Sequence, residues 1–260
     1  MILKDIKEYV AKRKAALKET IKKFVKAPSL AIIQVGDVEA SNRYIRNKIK
    51  DCQEVGINAH WYHYDVTIGE DELITEIKDL QEHYDGVIVQ LPIPEHLREE
   101  VVLAAITPDK DIDGFGPLAP YSPATAKGIM DYLDYCQFDL SGKNVVIIGR
   151  SNIVGKPLAK LMTDKDATVT LCHSKTKRIY KHIENADLVV SAVGRPQFLN
   201  CYPIYAPVID VGINFVDGKM CGDCYNTELR DVTPVPGGVG LLTRLALLDN
   251  VVEAYEKGIS

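Results

Sequence analysis

The chain of 260 residues has no apolar run long enough to span a bilayer, so no membrane-spanning helix is expected. A large charge of either sign is also missing, and a net charge of −5 gives no electrostatic reason to expect a nucleic-acid partner. Internal repeats and low-complexity stretches are absent, which argues against a solenoid or a disordered chain. Cysteine is sparse: of six, only Cys221 and Cys224 form a C-x-x-C, and no second pair stands at zinc spacing. Free thiols in a reducing compartment are therefore the default, and no metal site is expected. The basic stretch 1–26 lacks an apolar core and carries Asp5, Glu8 and Glu19 among its lysines. It fits neither a secretory signal nor a transit peptide, and a cytoplasmic location is the expectation.

What is present is the balance of a soluble globular protein, 46% hydrophobic and 26% charged, with length enough for two domains. Ile6, Val10, Leu17, Ile21 and Phe24 recur at helical spacing and predict an amphipathic first helix. Strand-like runs follow at Leu30–Val35, Ile57–Tyr64 and Gly86–Leu91, with helical stretches at Ser41–Val55, Asp71–Tyr84 and Glu95–Ala105. This βα alternation predicts an α/β fold built on parallel sheets. Pro108, Pro117, Pro120 and Pro123, with Gly114 and Gly116, mark a connection over 107–123, and a helix from Ala124 to Tyr135 follows. Alternation then restarts with strands at Asn144–Ile148, Thr168–Leu171, Asp187–Ala192 and Val208–Val211. A last helix over Leu241–Lys257, with Leu245, Leu248, Val252 and Tyr255 on one side, predicts a return to the first domain. The expected division is 1–120 with 243–260, and 121–242.

The clearest local signal is Val145-Val146-Ile147-Ile148-Gly149-Arg150-Ser151-Asn152-Ile153-Val154-Gly155-Lys156-Pro157. A strand ends at Gly149, a turn follows, and Gly155 and Pro157 open a helix, the geometry in which backbone N–H groups receive a pyrophosphate. The spacing is not G-x-G-x-x-G, so a plain βα turn is the competing reading. The second strand of this half ends in Cys172-His173-Ser174-Lys175-Thr176-Lys177-Arg178, without the acid that NAD-preferring domains place on the ribose. An acid there would repel a 2′-phosphate. Arg150 and Ser174 are the candidates to accept it, which points to NADP, while Lys177 and Arg178 read as the start of a solvated helix.

In the first half, Tyr44 and Lys48 stand four apart on a predicted helix face. Gln90 closes the apolar run Gly86-Val87-Ile88-Val89, at the end of a parallel strand where ligands bind. Asp109, Asp111 and Asp113 share a loop that lacks the spacing of a calcium site and reads as a polar ligand loop.

Tyr-x-x-x-Lys, Val-Gln-Leu-Pro, Lys-Asp-x-Asp-Gly-Phe, Gly-Arg-Ser-x-x-Val-Gly-x-Pro, Cys-His-Ser-x-Thr and Pro-Gly-Gly-Val-Gly occur here in this order. Together they resemble the bifunctional methylenetetrahydrofolate dehydrogenase/methenyltetrahydrofolate cyclohydrolase family, from about Leu30 to Tyr255. The resemblance implies a folate domain and a Rossmann-like NADP domain with the active-site cleft between them. It implies that Lys48 acts on the water chemistry of the cyclohydrolase step, that Gln90 orients it, that Tyr44 packs on the folate and that Asp113 binds the pterin. Val89, Leu91, Pro236, Gly237 and Gly238 would complete the substrate site. Gly149, Arg150, Ser151, Gly155, His173, Ser174, Ile213 and Thr243 would form the cofactor site. Tetrahydrofolate one-carbon derivatives as substrates and a homodimer are further implications.

The chain departs from the family pattern where Leu241-Leu242-Thr243 follows Pro-Gly-Gly-Val-Gly, where Thr125-Ala126-Lys127-Gly128 leads into the helix, and where no Leu-Asp-Gly-Lys precedes Leu30. Two other readings stay open at this stage. One is a monofunctional dehydrogenase. The other is a nucleotide-binding sensor without turnover, because fold does not fix function.

Overall fold

A computed structural model describes residues 3–116, 118–224 and 231–258. The chain falls into two compact units, the first Lys12–Ala124 with Arg244–Ser260 and the second Met1–Ala11 with Thr125–Thr243. The sequence places residues 1–11 with the folate half. In the structure they group with the second unit, through hydrogen bonds from Leu3 N–H to Asp231 Oδ1 (3.1 Å) and from the Tyr132 hydroxyl to Lys4 O (2.5 Å).

The unit of 12–124 and 244–260 is built on a three-stranded parallel sheet. Its strands are β1 (Ser29–Val35), β2 (Asn58–Tyr64) and β3 (Gly86–Val89), in the order β2-β1-β3. β1 is buried along its whole length, as expected of a central parallel strand covered on both faces. Burying Leu30, Ile32 and Ile33 contributes roughly 1.5–3 kcal/mol each. Helix α2 (Glu39–Val55) follows β1 and stops at Gly56, whose left-handed φ of 97° lets its N–H bond Cys52 O at 3.0 Å. Helix α3 (Glu70–His83) carries Glu70, Asp71 and Glu72 in its first turn, where the helix dipole favours anions. Its Leu73 and Ile77 pack with Ile33, Val35 and Val89. The predicted helix Glu95–Ala105 shrinks to α4 (Glu99–Ala104), because Pro92 and Pro94 hold the chain in turns up to Leu97.

The other unit carries β4 (Asn144–Ile148), β5 (Thr168–Cys172), β6 (Leu188–Ser191) and β7 (Val208–Asp210), all parallel, in the order β5-β4-β6-β7. Helices α5 (Ala124–Tyr135), α6 (Gly155–Thr163) and α7 (Ile179–Ile183) accompany them. Lys177 and Arg178 precede α7 instead of starting it, and Arg178 takes a left-handed φ of 55°. A hairpin that the sequence reading lacks, β8 (Asn214–Val216) with β9 (Lys219–Cys221), turns through Asp217 and Gly218, both at positive φ.

The division between units cuts α1 (Ile6–Ile21) and the last helix, α8 (Val239–Gly258). On α8, Leu245, Leu248, Val252 and Tyr255 are buried as their spacing predicts. Among the described residues no helix is long and apolar enough to cross a membrane.

Candidate active site

Three of the four residues singled out for catalysis come together in the first unit. α2 presents Tyr44 and Lys48 on one face, with the Lys48 ammonium 5.1 Å from the Tyr44 ring centroid. Asp113 meets them from the loop after the short 3₁₀ turn Pro108–Lys110, with its Oδ2 4.0 Å from Lys48 Nζ. Lys48 and Asp113 are only 4% and 8% exposed, so this charge pair lies largely out of water. Burial holds the Asp113 carboxyl above the usual carboxylate range, an effect that the neighbouring Lys48 charge partly opposes. The Tyr44 hydroxyl is raised as well, first by burial and then by Asp113, with Arg244 opposing. It stays a neutral donor at physiological pH.

The loop bearing Asp113 is shaped by another carboxylate. Asp111 accepts the N–H groups of Gly114 (3.1 Å) and Gly116 (2.6 Å), which makes this acid a loop former rather than a ligand group. Asn250 on α8 fixes the same loop by donating to Ile112 O (2.9 Å) and Ser122 O (3.2 Å).

Gln90 stands one residue beyond the end of β3, where the sequence predicts it within the strand. Its N–H still bonds Ile33 O at 2.8 Å. The side-chain amide donates to Leu91 O (2.8 Å), while its buried Oε1 has no hydrogen-bond partner. A buried acceptor without a partner is costly in a closed protein and is readily explained at a site that receives a donor from a ligand.

One cluster here has no sequence signal. Asp51, one turn beyond Lys48 on α2, is buried between Lys14 of α1 (2.6 Å) and Arg244 of α8 (3.0 Å). Arg244 Nε is close to the carboxylate but off the direction of a hydrogen bond, so this contact is a charge contact. The cluster ties the turn of α2 that bears Lys48 to two other helices.

In the second unit Gly149, Arg150, Ser151 and Gly155 follow the end of β4, and His173 and Ser174 follow the end of β5, which pairs with it. Gly149 leaves the strand at φ 119°, where an added Cβ would meet Ala192 O at 2.4 Å. At Gly155 a Cβ would stand 1.9 Å from Gly149 O. The turn is tight and opens into α6, whose first N–H groups already bond Ser151 (Gly155 to Oγ at 3.5 Å, Lys156 to O at 3.1 Å), so the glycines give close backbone approach rather than a row of free donors. Ser151 also acts within the protein, since its hydroxyl accepts from Val154 N–H at 3.2 Å. Arg150 and Ser174 are exposed, and His173 is half-buried with Nδ1 accepting from Lys175 N–H (3.2 Å). No carboxylate ends β5, so nothing there opposes a 2′-phosphate.

Ile213 is 57% exposed after β7. Pro236, Gly237 and Gly238 lead into α8, with Gly237 at φ 97°. Thr243 bonds Thr125 Oγ1 (3.1 Å) and Val239 O (3.1 Å), so its hydroxyl already has partners inside its own unit.

Two buried acids of this unit, Asp210 and Asp223, were not singled out in the sequence, although both accept several backbone N–H groups. Cys221 and Cys224 are free thiols, and among the described residues no three His, Cys, Asp or Glu side chains form a group able to hold a metal. Burial and Asp210 push the Cys224 thiol upward, away from the reactive thiolate.

Residues 2–113 match the tetrahydrofolate dehydrogenase/cyclohydrolase catalytic domain, and residues 123–259 match the NAD(P)-binding domain of the same name. The chain belongs to the tetrahydrofolate dehydrogenase/cyclohydrolase family. It is 41% identical to the bifunctional protein FolD of Halalkalibacterium halodurans over 98% of this chain and 99% of the relative. The bifunctional FolD methylenetetrahydrofolate dehydrogenase/cyclohydrolase of Campylobacter jejuni superposes with a TM-score of 0.92 at 37% identity, covering 98% of both chains. The Trypanosoma brucei family member, solved with NADP and an inhibitor, gives a TM-score of 0.90 at 29% identity over 99% of this chain and 98% of that one. Most of the unit holding Lys48 and Asp113 falls within the matched catalytic domain and most of the unit around Gly149 within the matched NAD(P)-binding domain, while the matches assign 2–11 to the former and 244–259 to the latter.

Proposed function

We propose that this family member oxidises 5,10-methylenetetrahydrofolate to the 5,10-methenyl cation with NADP and then hydrolyses the cation to 10-formyltetrahydrofolate. The buried Lys48–Asp113 pair beside the Tyr44 ring carries the reading, because it supplies an amine, a carboxylate and a flat apolar face at one point.

The two steps ask different things of the chain. NADP, when bound, takes up the hydride that leaves the bridging methylene carbon. No proton transfer is required in that step, so the residues contribute by placement. The Gly149–Gly155 turn holds the pyrophosphate, Arg150 and Ser174 hold the 2′-phosphate, and Ile213, Pro236, Gly237 and Gly238 line the ring and substrate. Tyr44 packs on the folate and Asp113 accepts from its pterin.

Hydrolysis needs acid–base help. As water adds to the methenyl carbon, one of its protons passes to Lys48, which enters this step as the free amine rather than as the ammonium of the resting pair. The resulting carbinolamine collapses to the formyl group as its hydroxyl proton leaves to solvent. The bond from carbon to N5 breaks, and Lys48 returns its proton to N5. The sum is one water consumed and one proton released. Gln90, whose Oε1 has no partner within the protein, would accept a hydrogen bond from the water or from Lys48. A homodimeric assembly and a cytoplasmic setting belong to the same proposal.

The test is a turnover assay on the purified chain with 5,10-methylenetetrahydrofolate and either NADP or NAD, following reduced cofactor and the methenyl chromophore together. Preference for NADP with little methenyl build-up at neutral pH is expected. Persistent methenyl accumulation beyond spontaneous hydrolysis would reduce the protein to a dehydrogenase, and cofactor binding without turnover would leave a sensor.

A further inference from the structure

The loops that follow β6 and β7 are held by two buried carboxylates that the reaction above does not use. Asp223 is 0% exposed and Asp210 2% exposed. Asp223 Oδ2 accepts from Ser191 Oγ (2.7 Å) and Val193 N–H (3.1 Å), and its Oδ1 from Arg195 N–H (2.8 Å) and Asn214 Nδ2 (3.1 Å). All four partners are donors, an arrangement that a carboxylate satisfies and a carboxamide cannot. Asp210 in turn accepts from the N–H groups of Gly212 (3.0 Å), Asp223 (3.0 Å) and Cys224 (2.8 Å), and so anchors the segment that carries Asp223. The backbone makes room for both carboxylates. A Cβ on Gly212 would lie 2.2 Å from Asp223 Oδ1, and one on Gly222 would lie 2.1 Å from Asp210 Oδ2.

The place of this brace in the fold gives it a function. In the order β5-β4-β6-β7, the chain leaves β4 for β5 on one side and returns to β6 on the other, so strand order reverses between β4 and β6. Dinucleotides lie across that crevice, outside the C-terminal strand ends, with the adenosine ribose at the end of the second strand. Here the second strand is β5, ending at Cys172. The nicotinamide half then extends the other way, over the β6 loop (192–195) and the β7 loop (211–214), which are the two loops that Asp223 joins.

We propose that Asp223 is a positioning residue for hydride transfer, tying the β6 loop to the β7 loop so that they form a fixed wall for the nicotinamide ring. The inference rests on the NADP-dependent oxidation proposed above. Asp223→Asn is nearly isosteric but turns one acceptor into a donor that faces donors, which releases one loop from the brace.

The experiment compares the full-length parent and Asp223→Asn in dehydrogenase turnover, in the primary deuterium isotope effect with methylene-deuterated substrate, and in affinity for 2′,5′-ADP, a probe of the adenosine half alone. The variant is expected to lose about 10- to 100-fold in kcat, the scale of a misplaced reacting group. Its isotope effect on kcat should rise, while its 2′,5′-ADP affinity stays within about twofold, since that half is bound elsewhere. An unchanged kcat, or 2′,5′-ADP affinity falling in step with kcat, overturns the assignment. Should Asp223→Asn fail to fold, Ser191→Ala removes one donor from the brace, and an unchanged kcat and isotope effect in that variant overturn it equally. A parent that binds 2′,5′-ADP but never turns over would sink the reaction assignment and the inference together. An active parent with an unaffected variant sinks the inference alone.

Discussion

The two units of this protein build their sites from different materials. Around Lys48 the site consists of side chains: a buried lysine, a buried carboxylate and an aromatic face. Around Gly149 it consists mostly of backbone, with glycines where a Cβ would strike a carbonyl and buried acids that hold loops in place. The contrast follows the chemistry. Hydrolysing a cation moves protons and needs groups that carry them, whereas hydride transfer needs two carbons held at the right separation.

The largest break in that contrast should come from Lys48→Met. Cyclohydrolase turnover is expected to fall about 10³-fold, the middle of the range for a lost acid–base group, with NADP affinity nearly unchanged. A stopped-flow measurement of methenyl hydrolysis checks it, and retained hydrolysis would remove Lys48 from its role.

On the other side, Gly155→Ala places a methyl group against Gly149 O, at a separation that cannot be accommodated without opening the turn. NADP affinity should drop by about 100-fold as the pyrophosphate loses its cradle, while hydrolysis of supplied methenyltetrahydrofolate continues. Isothermal titration separates this outcome from a neutral substitution.

Arg150→Ala sharpens the contrast further, because Arg150 is the one side-chain charge that the cofactor site is proposed to use. The Kd for NADP should rise about tenfold and that for NAD hardly at all, since only a charge-assisted bond to the 2′-phosphate is removed. Equal losses for the two cofactors would refute the phosphate assignment.

The smallest effect concerns stability. Burial raises the Asp113 carboxyl above its unfolded value, so its contribution to stability is full below the unfolded pKa and is lost as pH rises through the folded one. Asparagine does not titrate. The Tm of Asp113→Asn relative to the parent should therefore become more favourable by a few degrees between about pH 4 and pH 8, even as activity declines. A constant difference in calorimetry across that range would show that Asp113 is not strained by its surroundings.

How much of this was legible beforehand depended on whether the information was local. The run Asn144–Ile148 and the helix Ala124–Tyr135 have the same bounds in sequence and structure, since apolar runs and helical period are set by near neighbours. Tyr44 and Lys48 could be paired from their spacing alone. The Asp217-Gly218 turn of the hairpin was also readable, as a dipeptide suited to a tight reversal, but strands of three residues are too short to announce themselves by period.

The contact of Lys48 with Asp113, and the wedging of Asp51 between Lys14 and Arg244, join residues on separate elements that no pattern links. Asp223 is the plainest case: a single acid beside a glycine has no signature, and only the fold shows four donors converging on it. Strand and helix limits shifted where proline intervened, as at Pro92 and Pro94.

The hold of Asn250 on Ile112 O sets an order of events during synthesis. The loop bearing Asp113 leaves the ribosome early, yet the amide that fixes it lies 138 residues further along, beyond all of β4 to β9. The loop bearing Asp113 therefore goes without this hydrogen bond while β4 to β9 are being made, and gains it only when α8 arrives.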